Sequence, residues 1–253
     1  MDKIKTSAVS YLNAKPFIEG LRQTGLLNEM DLSLEIPSKT AMRLLHGDVQ
    51  LGLVPVAVIP QLPQAHIVSN YCIGAVGEVK TVCLYSQVPL SDIQCILLDY
   101  HSRTSVNLVR ILCQKYWHIS PEFVSAELGF EANIAKTTAG VIIGDRTIEW
   151  GKKFEYAYDL SGEWFRFSGL PFVFAAWVST KPLPNVFIDK LNDAFAAGMT
   201  AIPKIAQEYR TIYDPSFDIE EYLTKYISYS FDDKKRQGLQ QFFEYMKMAF
   251  AAI

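Results

Sequence analysis

The first half of the chain alternates short apolar runs with amphipathic stretches, a pattern that is typical of βαβ proteins. Short apolar runs predict strands, and apolar residues at a spacing of three to four predict helices. A proline inside the third run, Pro55, indicates that this strand lies at an edge, ends there or contains a bulge. The predicted strands are Ile4–Ser10, Leu32–Ile36, Leu51–Val58, Ile67–Ile73, Val79–Ser86, Gln94–Asp99, Gly140–Gly144 and Leu170–Ser179.

Amphipathic helices are predicted after several of these strands and through the last quarter of the chain. Asn13 is expected to cap the first helix, with Pro16 in its first turn, where the missing proline N–H costs nothing. Pro37 opens the second helix. The later predicted helices are Thr104–Trp117, Asn185–Met199, Ile202–Tyr213, Ile219–Ile227 and Asp232–Ala251. We expect the last of them to pack internally, although its apolar face also allows pairing in a homodimer.

Two strand-rich blocks followed by helices do not fit a single simple sheet. We predict that the chain leaves a first lobe near Pro89, builds a second lobe and returns near Pro171. The first lobe then comprises residues 1–88 and 172–253, and the second comprises residues 89–171. A double crossover of this kind predicts a hinge with a ligand cleft between the lobes.

Composition and charge favour a globular protein that acts on a small ligand. Apolar residues make up 49% of the chain and charged residues 20%, which suits an ordinary core. The formal net charge is -3, with 24 basic and 27 acidic residues, so no basic field is present to hold nucleic acid. A few local donors can still bind a small acidic ligand inside such a protein.

Several other classes of protein are disfavoured by missing motifs. The N-terminal residues lack the features of an export signal, and no apolar stretch is long enough to cross a membrane, so we expect a cytoplasmic protein. The four cysteines and four histidines do not have the spacing of metal ligands. No nucleotide-binding motif is found. We therefore expect neither a metal nor another cofactor.

The turn before the third helix is the clearest candidate site. Ser102, Arg103, Thr104 and Ser105 place three hydroxyls and a guanidinium at a helix N-terminus, where free N–H groups and the helix dipole favour an anion. Arginine can bind both oxygens of a carboxylate. The alternative is plain capping by Ser102 beside a solvated arginine. Because capping needs only one of these residues, the cluster favours a carboxylate site.

Two further turns connect predicted strands to predicted helices. Ligands of α/β sheets gather at the carboxyl ends of strands, which makes Ser10 and Asn13 candidates after the first strand. Asn13 either donates to a substrate oxygen through its amide or is an ordinary N-cap. Thr40, in Ser38-Lys39-Thr40, repeats this arrangement after the second strand, and capping is favoured there.

A carboxylic acid follows the buried strand Gly140–Gly144. The glycine at the end of that strand allows close backbone approach, and Asp145 next to it is a candidate general acid or base, or a residue that orients a neighbour. The alternative is a salt bridge between an aspartate and an arginine at the strand end, or a turn cap.

Five segments in order along almost the whole chain resemble a known family. They are Val9-Ser10-Tyr11-Leu12-Asn13-Ala14-Lys15-Pro16, Gly52-Leu53-Val54-Pro55-Val56-Ala57, Ser102-Arg103-Thr104-Ser105, Ile143-Gly144-Asp145 and Gly169-Leu170-Pro171-Phe172-Val173-Phe174-Ala175. Together they are similar to the menaquinone biosynthesis enzymes of the futalosine route, and most similar to the chorismate dehydratases. The resemblance implies an α/β type II periplasmic-binding-protein fold, with two lobes, two crossover strands and a helical C-terminal segment. The cleft residues that it implies are Ser10, Asn13, Thr40, Val54, Val56, Ser102, Arg103, Thr104, Ser105, Gly144 and Asp145.

The activity that the resemblance implies is removal of water from chorismate, a small dianion, without a cofactor. Asn13 and Asp145 are then the expected catalytic residues, although the substrate's own carboxylate is an alternative base. The related dihydroxynaphthoate synthase is expected to carry a histidine in the segment occupied here by Gly144 and Asp145, which favours the dehydratase. A second alternative is a binding protein for a small carboxylate that has no catalytic activity.

Overall fold

A computed structural model describes residues 3–250, and its strands are divided between two sheets in two separate units. The first unit comprises Met1–Gly74 and Val173–Asp232, and the second comprises Ala75–Phe172 and Asp233–Ile253. The chain therefore passes from the first unit to the second, returns, and ends in the second. Within the described residues, no helix combines the length and the apolar character needed to cross a membrane.

As far as the helix that begins at Thr104, the strands and helices follow the order that the hydrophobic pattern predicts. Three of the later strands and the helices Arg146–Trp150 and Leu160–Ser168 are not predicted by it. The strands are β1 (Ile4–Val9), β2 (Met30–Glu35), β3 (Leu51–Pro55), β4 (His66–Ala75), β5 (Val82–Ser86), β6 (Cys95–Leu98), β7 (Glu122–Ser125), β8 (Thr138–Ile143), β9 (Tyr156–Asp159), β10 (Phe172–Ser179) and β11 (Ser228–Ser230). The helices are α1 (Lys15–Gln23), α2 (Pro37–Leu45), α3 (Thr104–Leu112), α4 (Arg146–Trp150), α5 (Leu160–Ser168), α6 (Asn185–Thr200), α7 (Ile202–Tyr209), α8 (Ile219–Glu221) and α9 (Asp233–Phe250).

The first unit is built on a six-stranded sheet in the order β11-β4-β10-β3-β1-β2. In it, β1 pairs in parallel with both β2 and β3, and β10 runs antiparallel to β3. Every residue of β3 is buried, as expected for a strand covered on both faces. The predicted strand Leu51–Val58 is shorter in the structure: it ends at Pro55, and a 3-10 helix over Val56–Gln61 follows.

The second unit is built on a five-stranded sheet in the order β7-β6-β8-β5-β9. Here β6 pairs in parallel with both β7 and β8, while β5 runs antiparallel to β8 and β9. Because β5 belongs to this sheet, the first boundary between the units falls between residues 74 and 75. The sequence-based boundary, between residues 88 and 89, places β5 in the other unit.

The last helix, α9, groups with the second unit, whereas the sequence-based division assigns it to the first lobe. A Cβ atom added to Gly238 would lie 2.2 Å from the carbonyl oxygen of Pro171, so only glycine permits this approach. One turn later, the Phe242 ring packs against Trp164 and Phe172, with centroids 6.3 Å and 5.1 Å apart. Leu239, Phe242 and Met246 are buried, which agrees with the predicted internal packing of this helix. The side chains of Ala249 and Phe250, and the whole of Ala251, lie outside the described part of the structure.

Helix α1 is held in the first unit by close contact with α6. A Cβ on Gly20 would lie 1.9 Å from the carbonyl oxygen of Ala194, and a Cβ on Gly198 would lie 1.9 Å from that of Pro16. The two helix backbones therefore touch where both lack a side chain. This contact fixes the first turns of α1, which begins two residues after the candidate residue Asn13.

We expect Gly198→Ala to destabilise the protein. Alanine favours helix by up to about 1 kcal/mol over glycine, but its methyl group would overlap the backbone of α1, and overpacking costs about 1–3 kcal/mol or more. Urea unfolding should show a lower midpoint for Gly198→Ala. The exposed control Ala196→Ser on the same helix should leave the midpoint almost unchanged. An unchanged midpoint for Gly198→Ala would contradict the close helix contact.

Candidate functional site

The carboxyl ends of three parallel strands bring the candidate residues of the first unit to one edge of its sheet. Ser10 follows β1, and its backbone N–H donates to the carbonyl oxygen of Glu35 at the end of β2, 3.0 Å away. The hydroxyl of Ser7, in β1, donates to Oγ1 of Thr40 in α2, at 3.2 Å. These two hydrogen bonds therefore join β1 to the end of β2 and to α2, the helix that follows β2.

Val54 and Val56 lie at the carboxyl end of β3, the third strand of this group. Both side chains are fully buried, so they shape the interior beneath the sheet edge. Thr40 is fully buried as well, and its hydroxyl is the acceptor for Ser7. The capping favoured for Ser38-Lys39-Thr40 is not observed: the N-cap of α2 is Ile36, and it makes no side-chain capping bond.

Asn13 occupies a different position from the predicted N-cap, and that prediction is wrong. It lies within a 3-10 turn over Leu12–Ala14, and α1 begins at Lys15 with Ala14 in the capping position. The extra turn forms because the N–H of Ala14 donates to the carbonyl oxygen of Tyr11, at 3.0 Å. No side chain caps α1. The amide of Asn13 is therefore not used by the helix.

The side-chain amide oxygen of Asn13 is buried and has no hydrogen-bond partner. The residue as a whole is 9% exposed. Leaving a buried acceptor unpaired costs about 1–3 kcal/mol, so such a group in a folded protein calls for an explanation. A ligand hydroxyl or N–H that donates to this oxygen would remove the cost.

The backbone of Asn13 is fixed from the other side by Tyr229. The Tyr229 hydroxyl donates to the carbonyl oxygen of Asn13 at 2.9 Å, and its ring packs edge-on against Phe17, with centroids 5.3 Å apart. Burial raises the pKa of Tyr229 well above its ordinary value, so the hydroxyl keeps its proton and remains a donor. The turn that carries Asn13 is thus held rigidly.

In the second unit, two neighbouring parallel strands bring the remaining candidates to one sheet edge. The Ser102 turn follows β6, and Gly144 follows β8, with which β6 pairs. Asp99 links the two turns. Its carboxylate accepts from the N–H of His101 at 2.9 Å and from the N–H of Ile143 at 3.1 Å. The sequence-predicted residues of this unit therefore lie on adjacent turns.

The start of α3 is compatible both with helix capping by Ser102 and with an anion site at the Ser102 turn. The N–H of Ser105 donates to the hydroxyl oxygen of Ser102 at 2.9 Å, which is the capping contact. Thr104 and Ser105 are almost completely buried, whereas Arg103 is exposed. Ser102 therefore stabilises the helix start, and its hydroxyl proton is still able to donate to an anion.

The turn after β8 is tight because Gly144 adopts a positive φ of 66°. The N–H of Gly144 donates to the carbonyl oxygen of Thr81 at 2.8 Å, and its own carbonyl accepts from the Thr147 hydroxyl at 2.8 Å. Asp145 follows in the capping position of α4, half-buried, and no side chain caps this helix. The predicted strand-end acid is therefore presented by a rigid turn.

A buried ion cluster beside these turns was not predicted. The guanidinium of Arg146 pairs with the carboxylates of Asp99 and Glu131. Its charge and burial lower the pKa of the neighbouring His101, with burial the larger cause, which keeps that imidazole neutral near pH 7. Nothing local in the sequence links Glu131 to the other two residues. Among residues 3–250, no group of three or more histidine, cysteine or acidic side chains is arranged to hold a metal ion.

Comparisons with known proteins agree with this architecture. The family model described as menaquinone biosynthesis matches residues 4–248. A chorismate dehydratase from Thermus thermophilus is 26% identical, over 96% of this chain and 95% of that protein. A crystal structure of a protein from Archaeoglobus fulgidus has a TM-score of 0.76 at 14% identity, covering 99% of this chain and 98% of the other.

A Candida albicans protein that exhibits the generic periplasmic binding protein fold has a TM-score of 0.66 at 11% identity. The match covers 98% of this chain and 91% of the other. Together with the mixed sheet of each unit, these likenesses confirm the predicted type II periplasmic-binding-protein-like fold.

We expect Asn13→Leu to leave the stability unchanged or to raise it. Leucine has nearly the same shape and removes a buried amide oxygen that has no partner, so the free energy of unfolding should rise by about 0–2 kcal/mol. Thermal unfolding of the ligand-free protein measures this. A clear loss of stability would mean that the amide is paired in solution, which would contradict its assignment to a ligand.

Proposed function

Because the chain belongs to the menaquinone biosynthesis family, we propose that it is a chorismate dehydratase, which converts chorismate to 3-[(1-carboxyvinyl)oxy]benzoate and water in the futalosine route. The observation that carries the proposal is the chorismate dehydratase that matches along nearly the whole of both chains. Further support comes from polar groups at the strand ends of each unit, including an amide oxygen without a partner.

The chemistry needs acid–base groups and charge stabilisation only. The ring proton at C3 of chorismate is acidified because C2=C1 conjugates it with the ring carboxylate. Its removal gives a delocalised, enolate-like anion, which expels the C4 hydroxyl as the ring becomes aromatic. The removed proton and the departing hydroxyl together account for one water. The enzyme has to hold the substrate, stabilise the developing charge and exclude water.

In this proposal the Ser102–Ser105 turn binds one carboxylate of the substrate. The hydroxyl of Ser102 and the N-terminal N–H groups of α3 supply donors, and the helix dipole adds a favourable field. The exposed guanidinium of Arg103 supplies the opposite charge. Removing the hydroxyls should therefore weaken substrate binding more than it slows the chemical step.

Asn13 is proposed to contact the reacting part of the ring. Its buried amide oxygen accepts a hydrogen bond, and the C4 hydroxyl of chorismate is a donor of the required kind. The rigid turn under Asn13 fixes the direction of this contact. Ser10 and Thr40 lie at the same sheet edge and are proposed to line the binding site, above the buried Val54 and Val56.

Two groups compete for the role of the base. Asp145 stands on a rigid turn that starts at Gly144, beside the Ser102 turn. The enolpyruvyl carboxylate of the substrate is tethered near C3 and is the other candidate. We propose Asp145 as the protein's acid–base residue, because a fixed group on a strand-end turn needs no rearrangement to act.

The decisive experiment is incubation of the purified protein with chorismate. We expect an aromatic product with the mass of chorismate minus one water, detected by liquid chromatography and mass spectrometry, at a rate proportional to enzyme concentration. Binding without product, measured by calorimetry, would instead favour a non-catalytic carboxylate-binding protein. If chorismate neither reacts nor binds, the proposal is wrong. Turnover of a later pathway intermediate alone would favour the related dihydroxynaphthoate synthase.

Asn13→Leu should lower turnover at saturating chorismate by roughly 100-fold, because the C4 hydroxyl is no longer held in its reactive orientation. Because the same substitution should not lower stability, the loss of turnover cannot be ascribed to unfolding. Ala196→Ser serves as the matched control, with unchanged kinetics. Turnover within about twofold of the wild type would exclude Asn13 from the reaction.

Asp145→Asn separates the two candidate bases. If Asp145 removes the proton, turnover at saturating chorismate should fall by about 100-fold or more, because the amide cannot accept it. Steady-state kinetics with both kcat and KM resolved provide the measurement. An unchanged kcat would assign the base to the substrate's own carboxylate.

A further inference from the structure

The cluster of Asp99, Glu131 and Arg146 lies at the base of the two turns in the second unit. The side chain of Asp99 is 0% exposed, that of Glu131 is 5% exposed and that of Arg146 is 24% exposed. Two buried carboxylates thus share one guanidinium. Such a group is expensive to bury, and a buried ion pair is weak evidence for added stability. Its placement requires a different explanation.

The three residues come from three separate segments of the unit. Asp99 directly follows β6, Glu131 lies in a 3-10 turn over Phe130–Asn133, and Arg146 is the first residue of α4. The guanidinium is also flanked by the rings of Tyr100 and Phe130, with its central carbon 5.6 Å and 5.8 Å from their centroids. These contacts hold a planar, forked cation in one orientation.

The Asp99 carboxylate, held by Arg146, in turn accepts hydrogen bonds from the backbone of both turns. One carboxylate oxygen accepts from the N–H of His101, immediately before Ser102. The other accepts from the N–H of Ile143, two residues before Asp145, and also binds Arg146. A single carboxylate therefore sets the spacing between the proposed carboxylate-binding turn and the turn of the proposed base.

We propose that Arg146 is a positioning residue that acts through Asp99 to hold the Asp145 turn in register with the Ser102 turn. This inference rests on the proposed function. Arg146 contacts no substrate in this proposal. Without it, two buried carboxylates are left with no cation, and the Asp99 carboxylate must shift its position or change its hydrogen bonds. Either change weakens its two bonds to the backbone N–H groups.

The expected kinetic effect is a lower kcat with little change in KM. The Ser102–Ser105 contact is local to the start of α3 and does not depend on Arg146, so substrate binding persists. Asp145, the neighbour of Arg146 in sequence, loses its fixed position, and a misplacement of about 1 Å can cost 100-fold in rate. For Arg146→Met we expect kcat to fall by about 10-fold to 100-fold, with KM within about threefold of the wild type.

Amide hydrogen exchange supplies a readout that does not need activity. In Arg146→Met, the amides of His101 and Ile143 should exchange at least about tenfold faster than in the wild type, because their shared acceptor has moved. The N–H of Ser105, whose acceptor is Ser102, should keep its protection. Arg166→Met is the matched control, since Arg166 pairs with Glu163 and Glu78, neither of which binds these turns.

The outcomes separate this inference from the proposed function. Faster exchange at His101 and Ile143 together with a lower kcat supports both. Faster exchange in a protein that does not convert chorismate supports the positioning role and refutes the proposed reaction. Unchanged exchange at both amides, or a fall in kcat matched by Arg166→Met, overturns the positioning role. If Arg146→Met does not fold, Arg146→Lys can be used instead, because lysine keeps the positive charge but lacks the two-pronged guanidinium. It should give smaller changes in amide exchange and in kcat, in the same direction.

Discussion

Parallel pairing of strands is the constraint on which the candidate site depends. In the first unit β1, β2 and β3 run in parallel, so the turns that follow them share one sheet edge. In the second unit β6 and β8 do the same. Residues far apart in sequence, such as Ser10 and Thr40, or Ser102 and Asp145, thereby lie on neighbouring turns. Parallel pairing places the carboxyl ends of neighbouring strands, and the turns that follow them, at the same end of each sheet.

The turns keep their shape through polar groups that are expensive to bury. Asn13 retains an amide oxygen without a partner, although its backbone is fixed by Tyr229. Asp99 holds two backbone N–H groups and shares one guanidinium with Glu131. Neither feature is what selection for stability alone would retain, and violations of this kind concentrate at functional sites. This is the physical reason for assigning a ligand to these sheet edges.

Most of the elements could be predicted from the sequence, because hydrophobic periodicity records which face of each strand and helix is buried. The conformations of the turns are harder to predict from the sequence. Asn13 followed by a proline matches a helix start, yet a 3-10 turn intervenes and moves the start to Lys15. The strands β7, β9 and β11 are not predicted by the hydrophobic pattern. β7 is short and largely exposed, β9 alternates tyrosine with small or polar residues, and β11 has only three residues.

Contacts between segments that are distant in sequence cannot be predicted from local sequence patterns. Nothing near Glu131 indicates that it pairs with Arg146, and nothing near Gly238 indicates that α9 packs on the segment around Pro171. The sequence therefore favours a helical tail on the first lobe, whereas tertiary packing places α9 in the second unit. The Ser102 turn was recognised because all of its polar residues are consecutive, and the structure adds that Ser102 caps the helix as well.

A crystal structure obtained after a brief soak with chorismate and rapid freezing would test the proposed site most directly. We expect one carboxylate within hydrogen-bond distance of the Ser102–Ser105 turn, and a ligand hydroxyl that donates to the amide oxygen of Asn13. A ligand bound elsewhere, with the Asn13 oxygen still unpaired, would contradict this expectation.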